Sequence, residues 1–565
     1  MRQPGTDRGK RVRAVKDNMT DGASFGAASF ESHPWVDQGD AAPFLFIDRT
    51  AGPGGAQAMV QGQAVATVGH KMRVPGDARP RGLWGAWRWD GETLTAEVDA
   101  LGYFTLFVYQ KGDQIGVSPS IFQLLAHGAD AEIDPVALAV FHRVGFFVGG
   151  DTPFQHIRVM QPASRLTWRA GQARYEGGEP IPKPLDITRD QAVEAFIDLP
   201  RAAIRRFLQD WGGPIALPLS GGRDSRHILL EMAHQGRLPD TCVTFHHGGK
   251  VMNAEVQAAR AVAARVGVKH TILGHPRYRM RDALRGLLMT QLCADEHAQM
   301  MPMHDFLSGS DYCAVDGIGG DILTNPDDWA AGFMERARRG DWEGIARGMA
   351  DGHGGVISRP GHHGGAGAVF SPDLEEAAID RLARAIAVYK DAPDPYQCFW
   401  FYHRTRREIS FVSTAVMGGA PMVFCPYLDP DFVELGLSLP WDVTCDQKLH
   451  DDAIFRAYPD YADIPFASGF RNQPLPRLRA HRLTNALDSL RIAALTGREG
   501  ALSGMRAALK STPLKRGPSD ILRLHDEMVR GMDPQRARHL MSLDRRLRAA
   551  APKRQELVSD VHLGA

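Results

Sequence analysis

The sequence predicts a protein of mixed α/β and α+β class, with a β-rich N-terminal domain, a later domain built on a parallel sheet, and a helical C-terminal extension. Three observations predict it. Short apolar or alternating runs, separated by Gly and Asp turns, fill residues 43–171. Strand and helix patterns alternate after residue 191, as in a parallel sheet covered by helices. Beyond residue 471 the chain is Arg-rich and its patterns are helical.

The 565-residue length exceeds what a single core supports, so we expect several units. The Pro-rich run "GGEPIPKPLD" indicates a linker between two of them. The predicted segments are a loose N-terminal extension (1–40), a β-rich domain (41–176), the linker (177–190), a parallel-sheet domain (191–470) and an Arg-rich helical tail (471–565).

Individual elements follow from local patterns. In the N-terminal domain "FLFID" predicts a strand, and "SIFQLLAHG" and "DPVALAVFHRV" predict helices. In the later domain "PIALPL", "TCVTFHH" and "DYCAV" predict strands, with helices between them. One of these helices, "NAEVQAARAVAARVG", places Val256, Ala259, Ala263 and Val266 on one face.

Composition excludes some classes of function. Apolar residues make up 44% of the chain and charged residues 23%, and Lys plus Arg equals Asp plus Glu at 66 each, so nothing favours a nucleic-acid or membrane partner. No run is long and apolar enough to span a bilayer, and no apolar segment follows the basic N-terminus as a secretion signal requires. The six cysteines form no CxxC pair. We therefore expect a cytoplasmic protein with reduced thiols.

The segment "SGGRDS", Ser220 to Ser225, directly follows a predicted buried strand and opens a predicted helix. Without side chains, Gly221 and Gly222 would let a phosphate approach the backbone, and the helix start would attract its charge. Asp224 needs a Mg²⁺ ion to face a phosphate, because like charges repel. The alternative is an ordinary strand–helix turn with a Ser cap. The pattern is not a Walker loop, since no G-K-[ST] follows.

This loop resembles the pyrophosphate loop of ATP-pyrophosphatase proteins, and several motifs in the same order resemble the asparagine synthetase family over about residues 45–460. The later motifs are "NAEVQAARAVAARVGVKH", "VDGIGGDIL", "APMVFCPYLDPDFVELGLSLP" and "CDQKLHDDAIFRAYP". The matching positions in them are Glu255, Arg260, His270, Gly317, Gly319, Asp321, Pro426, Leu428, Asp429, Pro440 and Lys448. The resemblance implies a glutaminase-like, Ntn-type β sandwich in the N-terminal domain. It also implies an adenine nucleotide α-hydrolase-like ATP-pyrophosphatase domain after it.

The same resemblance implies an ATP-dependent carbon–nitrogen ligase that uses Mg²⁺ and releases AMP and pyrophosphate. Asp224 and Asp321 would hold the metal, and Lys448 would face the growing phosphate charge; these three are the expected catalytic residues. The expected ATP- and pyrophosphate-binding residues are Leu219, Ser220, Gly221, Gly222, Asp224, Ser225, His246, Asp316 and Gly317.

Two departures from the family limit which source of nitrogen the reaction can use. Glutamine-using members begin with a catalytic Cys after Met1, whereas residue 2 here is Arg2, so we expect no glutamine hydrolysis. Ile318 and Ile322 stand where ammonia-using synthetases have glutamates. β-Lactam synthetases, carbapenam synthetases and lasso-peptide cyclases also lack these glutamates. We therefore expect a small-molecule or peptide substrate that carries the amine as well as the carboxylate. Glu296, Glu408 and Tyr402 are candidate general bases.

Alternatives stay open at this stage. An asparagine synthetase using ammonia or glutamine is one, and a non-catalytic nucleotide-binding protein is another. The Arg-rich tail is either a solvated helical cap or a docking face for an acidic precursor peptide or carrier. The Gly- and His-rich segment 353–365 is either a metal site or, as its glycines favour, a mobile lid. A homodimer is compatible with the sequence.

Overall fold

The structure is a computed structural model that describes residues 28–36, 42–50, 58–245, 254–274, 279–324, 329–351, 372–470, 519–551 and 553–558. His246, the Gly/His segment 353–365, the N-terminal residues 1–27 and residues 471–518 lie outside these ranges. The expectations that fall on them stay predictions.

The N-terminal domain consists of two antiparallel sheets and two helices. One sheet has the order β1-β4-β5-β6-β10-β11 and the other the order β3-β2-β8-β7-β9. The strands are Ser29–His33 (β1), Leu45–Asp48 (β2), Met59–Gly62 (β3), Val65–Arg73 (β4), Arg81–Trp89 (β5), Thr93–Val98 (β6), Phe107–Lys111 (β7), Gln114–Ser118 (β8), Ile157–Val159 (β9), Arg165–Arg169 (β10) and Gln172–Glu176 (β11). The helices are Ile121–Ala126 (α1) and Pro135–Val144 (α2).

Alternation of buried and more exposed side chains explains why these segments are strands. In β6, Leu94, Ala96 and Val98 are buried, while the residues between them are half-buried or exposed. Such a strand covers one core with a single face. The predicted β-rich domain is therefore confirmed as a pair of antiparallel sheets.

The later domain contains a five-stranded parallel sheet of order β14-β13-β12-β15-β16, which confirms the predicted sheet type. Its strands are Ile215–Pro218 (β12), Thr241–Phe245 (β13), His270–Leu273 (β14), Cys313–Val315 (β15) and Val423–Phe424 (β16). The helices up to β15 are Arg189–Asp210 (α3), Asp224–His234 (α4), Ala254–Val266 (α5), Arg279–Met289 (α6) and Met301–Leu307 (α7). After β14 the chain crosses to the other side of β12, so the strand order reverses between β12 and β15.

The remaining described elements are helical. They are Ala330–Arg338 (α8), Trp342–Ala350 (α9), Glu375–Ala387 (α10), Pro395–Phe399 (α11), Pro430–Ser438 (α12), Trp441–Thr444 (α13), Leu449–Ala457 (α14), Ser519–Arg530 (α15), Pro534–Ala549 (α16) and Arg554–Leu557 (α17). Short 3₁₀ helices cover His297–Met300, Pro372–Leu374, Pro426–Leu428, Pro459–Tyr461 and Ala467–Gly469. Two π-helical segments cover Trp400–Ile409 and Val412–Val416. None of the helices within the described ranges combines the length and apolarity that crossing a bilayer requires.

Two details differ from the expectations. Ser29–His33 lies in the segment expected to be loose, yet it pairs with β4 because Phe30 packs against Phe207 and Trp211. The tail was expected to be helical, yet Val558 bridges Leu273 of β14. This contact forms because β14 is a sheet edge with open backbone groups, one of which, the N–H of Gly274, donates to the Leu557 carbonyl at 2.8 Å.

The π-helical segment Trp400–Ile409 joins the two domains through two consecutive buried arginines. The Arg406 guanidinium donates to Glu179 in the linker at 3.1 Å and to the carbonyls of Gly102 and Met160, both at 3.1 Å. Arg407 donates to the carbonyls of Gly149 and Asp151 at 2.5 and 2.8 Å. We call these two arginines and Glu179 the arginine clamp.

We expect Arg406→Met to lower the free energy of unfolding by about 3–5 kcal/mol, because it leaves Glu179 without its buried charge partner. Chemical denaturation followed by circular dichroism measures the change. Arg347→Met is the matched control, since Arg347 pairs with acidic residues at the surface and its loss should leave the unfolding midpoint in place. Equal midpoints for the two variants would contradict a stabilising role for the clamp.

Candidate functional site

The loop predicted to bind phosphate connects β12 to α4. Helix α4 begins at Asp224 with Arg223 at its N-cap, and no side chain caps it. The Ser cap of the alternative interpretation is therefore wrong, whereas its strand–helix turn is present. Instead the Ser225 hydroxyl accepts the backbone N–H of Ser220 at 3.0 Å and lies 3.2 Å from the Ser220 hydroxyl. This contact folds the loop back over the start of α4; Ser220 is exposed, Gly221 is buried and Gly222 is half-buried.

The two glycines of the loop have different roles. A Cβ atom on Gly221 would lie 2.6 Å from the Ala467 Cβ and 3.0 Å from the Glu255 Cα, and the Gly221 N–H already donates to Glu255 Oε2 at 2.6 Å. A Cβ atom on Gly222 would meet only the Ser220 hydroxyl, at 3.3 Å. The expectation that both glycines open the backbone to a ligand is thus corrected: Gly221 lets α5 approach the loop, and Gly222 alone has an open side.

A second loop, which follows β15, contacts the first. The backbone N–H of Asp321 donates to Asp224 Oδ2 at 3.1 Å. Gly317 and Gly320 make this approach possible, since a Cβ atom on either would lie within 3 Å of the Asp224 side chain. The two loops meet beyond the carboxyl ends of β12 and β15, where the strand order reverses, and this is where open α/β sheets bind ligands.

Three carboxylates gather at this point. Burial, and then the charges of Asp321 and Asp316, raise the pKa of Asp224 well above its usual range, while Arg223 opposes them. Asp224 Oδ1 is buried without a hydrogen-bond partner, and Asp321 is exposed. Asp316 is held by the Ser413 hydroxyl, which donates to Asp316 Oδ2 at 2.5 Å. Asp224 and Asp321 are the two residues at this point that could hold a divalent cation such as Mg²⁺.

Lys448 lies immediately before α14 and is exposed. The first turn of α14 is fixed against the phosphate loop, because Asp451 forms an ion pair with Arg223. In the same turn, His450 Nδ1 lies 3.4 Å from Asp224 Oδ1. Lys448 therefore lies on a segment that contacts the predicted site.

Sequence reasoning missed the two histidines behind Asp224. His450 Nε2 lies 3.2 Å from His227 Nδ1, and both rings are buried. Burial lowers the pKa of His227 to about 3 and that of His450 well below its usual range, so both rings are neutral. The only available signal was that His450 follows Lys448 by two residues and His227 follows Asp224 by three.

Other predicted residues help to hold the structure around the site in place. Leu219 is buried, and its carbonyl accepts the Thr244 hydroxyl at 2.5 Å. His270 Nε2 lies 2.8 Å from that same hydroxyl. The side chain of Ile318 is buried in the core, and that of Ile322 is half-buried and packs against it.

The candidate general bases differ in their surroundings. Glu408 is buried. Its burial is the main cause that raises its pKa well above the usual range, and the nearby carboxyls of Glu296 and Asp295 add to this shift. The charge of Arg404 acts in the opposite direction. Tyr402 is buried and stacks on Tyr389 with ring centroids 6.2 Å apart, and burial raises its pKa. Glu408 lies in the first π-helical segment, five residues before Ser413, the partner of Asp316, which lies in the second.

Comparison with known proteins does not identify a family for this chain. No protein-family model matches the chain, and no curated protein matches it. One similar solved structure is the glutamine phosphoribosylpyrophosphate amidotransferase from B. subtilis complexed with ADP and GMP, at 9% sequence identity and a TM-score of 0.13. The match covers 35% of this chain and half of that one. The resemblance to asparagine synthetases therefore stays a prediction from the sequence motifs.

We expect Gly221→Ala to lower the free energy of unfolding by about 1–3 kcal/mol, because its methyl group would overlap α5 and Ala467. Gly222→Ala is the matched control and should leave that free energy within about 0.5 kcal/mol of the wild type. Urea denaturation of both variants measures the difference. An equal loss in both variants would show that the two glycines do not differ in packing.

Proposed function

We propose that the protein is an ATP-dependent amide ligase that activates a substrate carboxylate as an acyl-adenylate and then passes the acyl group to an amine. The observation that supports this best is the meeting of the "SGGRDS" loop with the Asp316–Asp321 loop at the switch point of the parallel sheet. The two loops carry hydroxyls, one glycine with an open side and two carboxylates, and the sequence motifs resemble those of asparagine synthetases.

In the first step a substrate carboxylate oxygen attacks the α-phosphorus of ATP, and pyrophosphate leaves. The hydroxyls of Ser220 and Ser225 and the N–H groups near Gly222 would bind the pyrophosphate. Asp224 and Asp321 would hold Mg²⁺, which neutralises phosphate charge when bound. Lys448 would add its ammonium to the same charge; such a donor contributes about 2.7–4 kcal/mol to transition-state stabilisation.

In the second step the amine nitrogen attacks the acyl carbon, the bond to AMP breaks, and the amine gives up a proton. Of the three candidate bases, the surroundings favour Glu408. Its carboxyl is buried next to Glu296 and has a raised pKa, so the ionised form of this carboxyl is a stronger base than an exposed carboxylate. Its π-helical stretch also leads directly to Ser413 and Asp316.

The nature of the amine follows from Ile318 and Ile322, which pack in and against the core beside Asp321 and offer no group to receive ammonia. An organic amine is therefore proposed, either on a second molecule or on the substrate that carries the carboxylate, as in closure of a lactam or a macrolactam. An ammonia- or glutamine-dependent asparagine synthetase is the alternative that the sequence motifs leave open.

Two measurements test the proposal. Isothermal titration of the protein with Mg²⁺ and the non-cleavable analogue α,β-methylene-ATP should show binding, and Asp224→Ala should weaken it at least tenfold. Release of pyrophosphate is then assayed with aspartate and ammonia, and with amino-carboxylate compounds and peptides. Turnover with aspartate and ammonia would favour the asparagine synthetase alternative, and no binding of the ATP analogue would refute both enzymes.

Two variants should separate the half-reactions once a substrate supports turnover. We expect Lys448→Ala to abolish both exchange of pyrophosphate into ATP and amide formation, because the phosphate charge grows in each step. Glu408→Gln should keep the exchange within about threefold of the wild type and reduce amide formation by about 10²–10⁴-fold. Glu296→Gln is the control, because it also breaks up the pair of carboxyls but leaves Glu408 in place. An equal loss of both activities in Glu408→Gln would contradict its role as base.

A further inference from the structure

Arg223 ties the phosphate loop to helix α14. It occupies the N-cap of α4 within the "SGGRDS" loop. Its Nε donates to Asp451 Oδ1, and its Nη2 donates to Asp451 Oδ2 at 3.2 Å. A two-point contact of this kind fixes the orientation of the two side chains as well as their separation. We call Arg223 and Asp451 the loop–helix pair.

An aromatic ring shields this pair from water on one side. The guanidinium carbon of Arg223 lies 5.2 Å from the centroid of the Phe466 ring. Phe466 directly precedes the 3₁₀ helix Ala467–Gly469, and the N–H of Ala467 donates to the Gly221 carbonyl at 3.0 Å. The ring therefore belongs to a segment attached to the same loop. The side chain of Arg223 is 35% exposed and that of Asp451 22%, so water weakens the pair less than it weakens a fully exposed one.

The position of Lys448 follows from the position of α14. Lys448 directly precedes this helix, and Asp451 lies in its first turn. Three residues span about 4.5 Å along a helix axis, so Asp451 and the backbone of Lys448 move together. Lys448 is exposed, and the backbone that carries it therefore decides what its ammonium can reach.

A second arginine ties the same segment to α3. Arg189 of α3 pairs with Asp452 at 2.7 Å and with Asp446 at 2.9 Å. The backbone N–H of Lys448 donates to that same Asp446 carboxylate at 3.0 Å. The neighbouring residues Asp451 and Asp452 thus connect the Lys448 segment to two different partners, the phosphate loop and α3.

We propose that Arg223 is a positioning residue: through Asp451 it holds Lys448 at the phosphate loop, so that the loop and the ammonium bind the same pyrophosphate group. This inference rests on the proposed function, which assigns both the loop and Lys448 to pyrophosphate. An arginine inside a phosphate loop could also bind phosphate directly. Here two of its three nitrogens already donate to Asp451, which favours the positioning role.

The sign of two substitutions separates these roles. Arg223→Gln removes a positive charge and Asp451→Asn removes a negative one, and each breaks the loop–helix pair. If Arg223 bound phosphate directly, or if only long-range charge mattered, Asp451→Asn would strengthen anion binding, because the guanidinium would be released and the local charge would become more positive. A positioning role weakens anion binding in both variants.

The measurement is calorimetric titration of the full-length protein with pyrophosphate in the presence of Mg²⁺. We expect Arg223→Gln and Asp451→Asn each to weaken binding by about 3–10-fold. Asp452→Asn is the matched control, since it makes the same charge change one residue along but breaks a contact with α3, and Arg189 keeps Asp446 as a partner. This control should bind within about twofold of the wild type.

A second comparison tests whether the pair acts through Lys448. We expect Lys448→Ala to bind pyrophosphate about tenfold more weakly than the wild type, because it loses a charged donor. Adding Asp451→Asn to Lys448→Ala should then change the affinity by no more than about twofold, since the ammonium to be positioned is already absent. Circular dichroism confirms the fold of each variant, and either Arg223→Gln or Asp451→Asn suffices to break the pair.

Three results would overturn the inference: binding by Asp451→Asn that equals or exceeds that of the wild type, an equal loss in Asp452→Asn, or the full loss of Asp451→Asn repeated on top of Lys448→Ala. In each case the wild-type protein still binds pyrophosphate, so the proposed function stands. Failure of the wild-type protein to bind either pyrophosphate or α,β-methylene-ATP would instead refute the proposed function together with this inference.

Discussion

Two neighbouring guanidinium groups, those of Arg406 and Arg407, are removed from water inside this protein. A buried arginine is tolerable only if its N–H groups find acceptors, because the loss of hydration is large. Most of the acceptors here are backbone carbonyls of the N-terminal domain, and Glu179 comes from the linker. The domains must therefore keep one relative arrangement for these charges to stay satisfied. Because the arginines are consecutive, they anchor the helix on adjacent positions and restrict its rotation.

The arginine clamp gives the N-terminal domain a structural role in supporting its neighbour. The clamped π-helical segment leads to Ser413, which holds Asp316, and Asp316 lies near enough to Asp224 to influence its charge. The wide turns of this segment also bring Glu408 into the buried region beside Glu296. The N-terminal domain can thus support a site in its neighbour, by holding the helix on which that site depends.

Much of the secondary structure could be predicted from local sequence patterns. Strands such as β6 follow from alternation, and α5 from the spacing of its small apolar residues. The loop "SGGRDS" was found because Gly and Asp after a buried strand are an unusual local combination. The π-helical turns, the arginine clamp and the partnership of His450 with Asp224 were not predicted, because they join residues far apart in the chain and have no local signature. The role of Gly221 was misjudged for the same reason: its constraint comes from Ala467 and α5 rather than from its own neighbours.

The bridge between Leu273 and Val558 has a consequence for biosynthesis. A ribosome makes β14 long before it makes Val558, so the outer edge of the parallel sheet stays uncovered during most of translation. An uncovered edge is a template for pairing with other nascent chains. The contact of β14 with Val558 therefore forms only after the C-terminal residues are made, and a chain shortened by a premature stop would lack it.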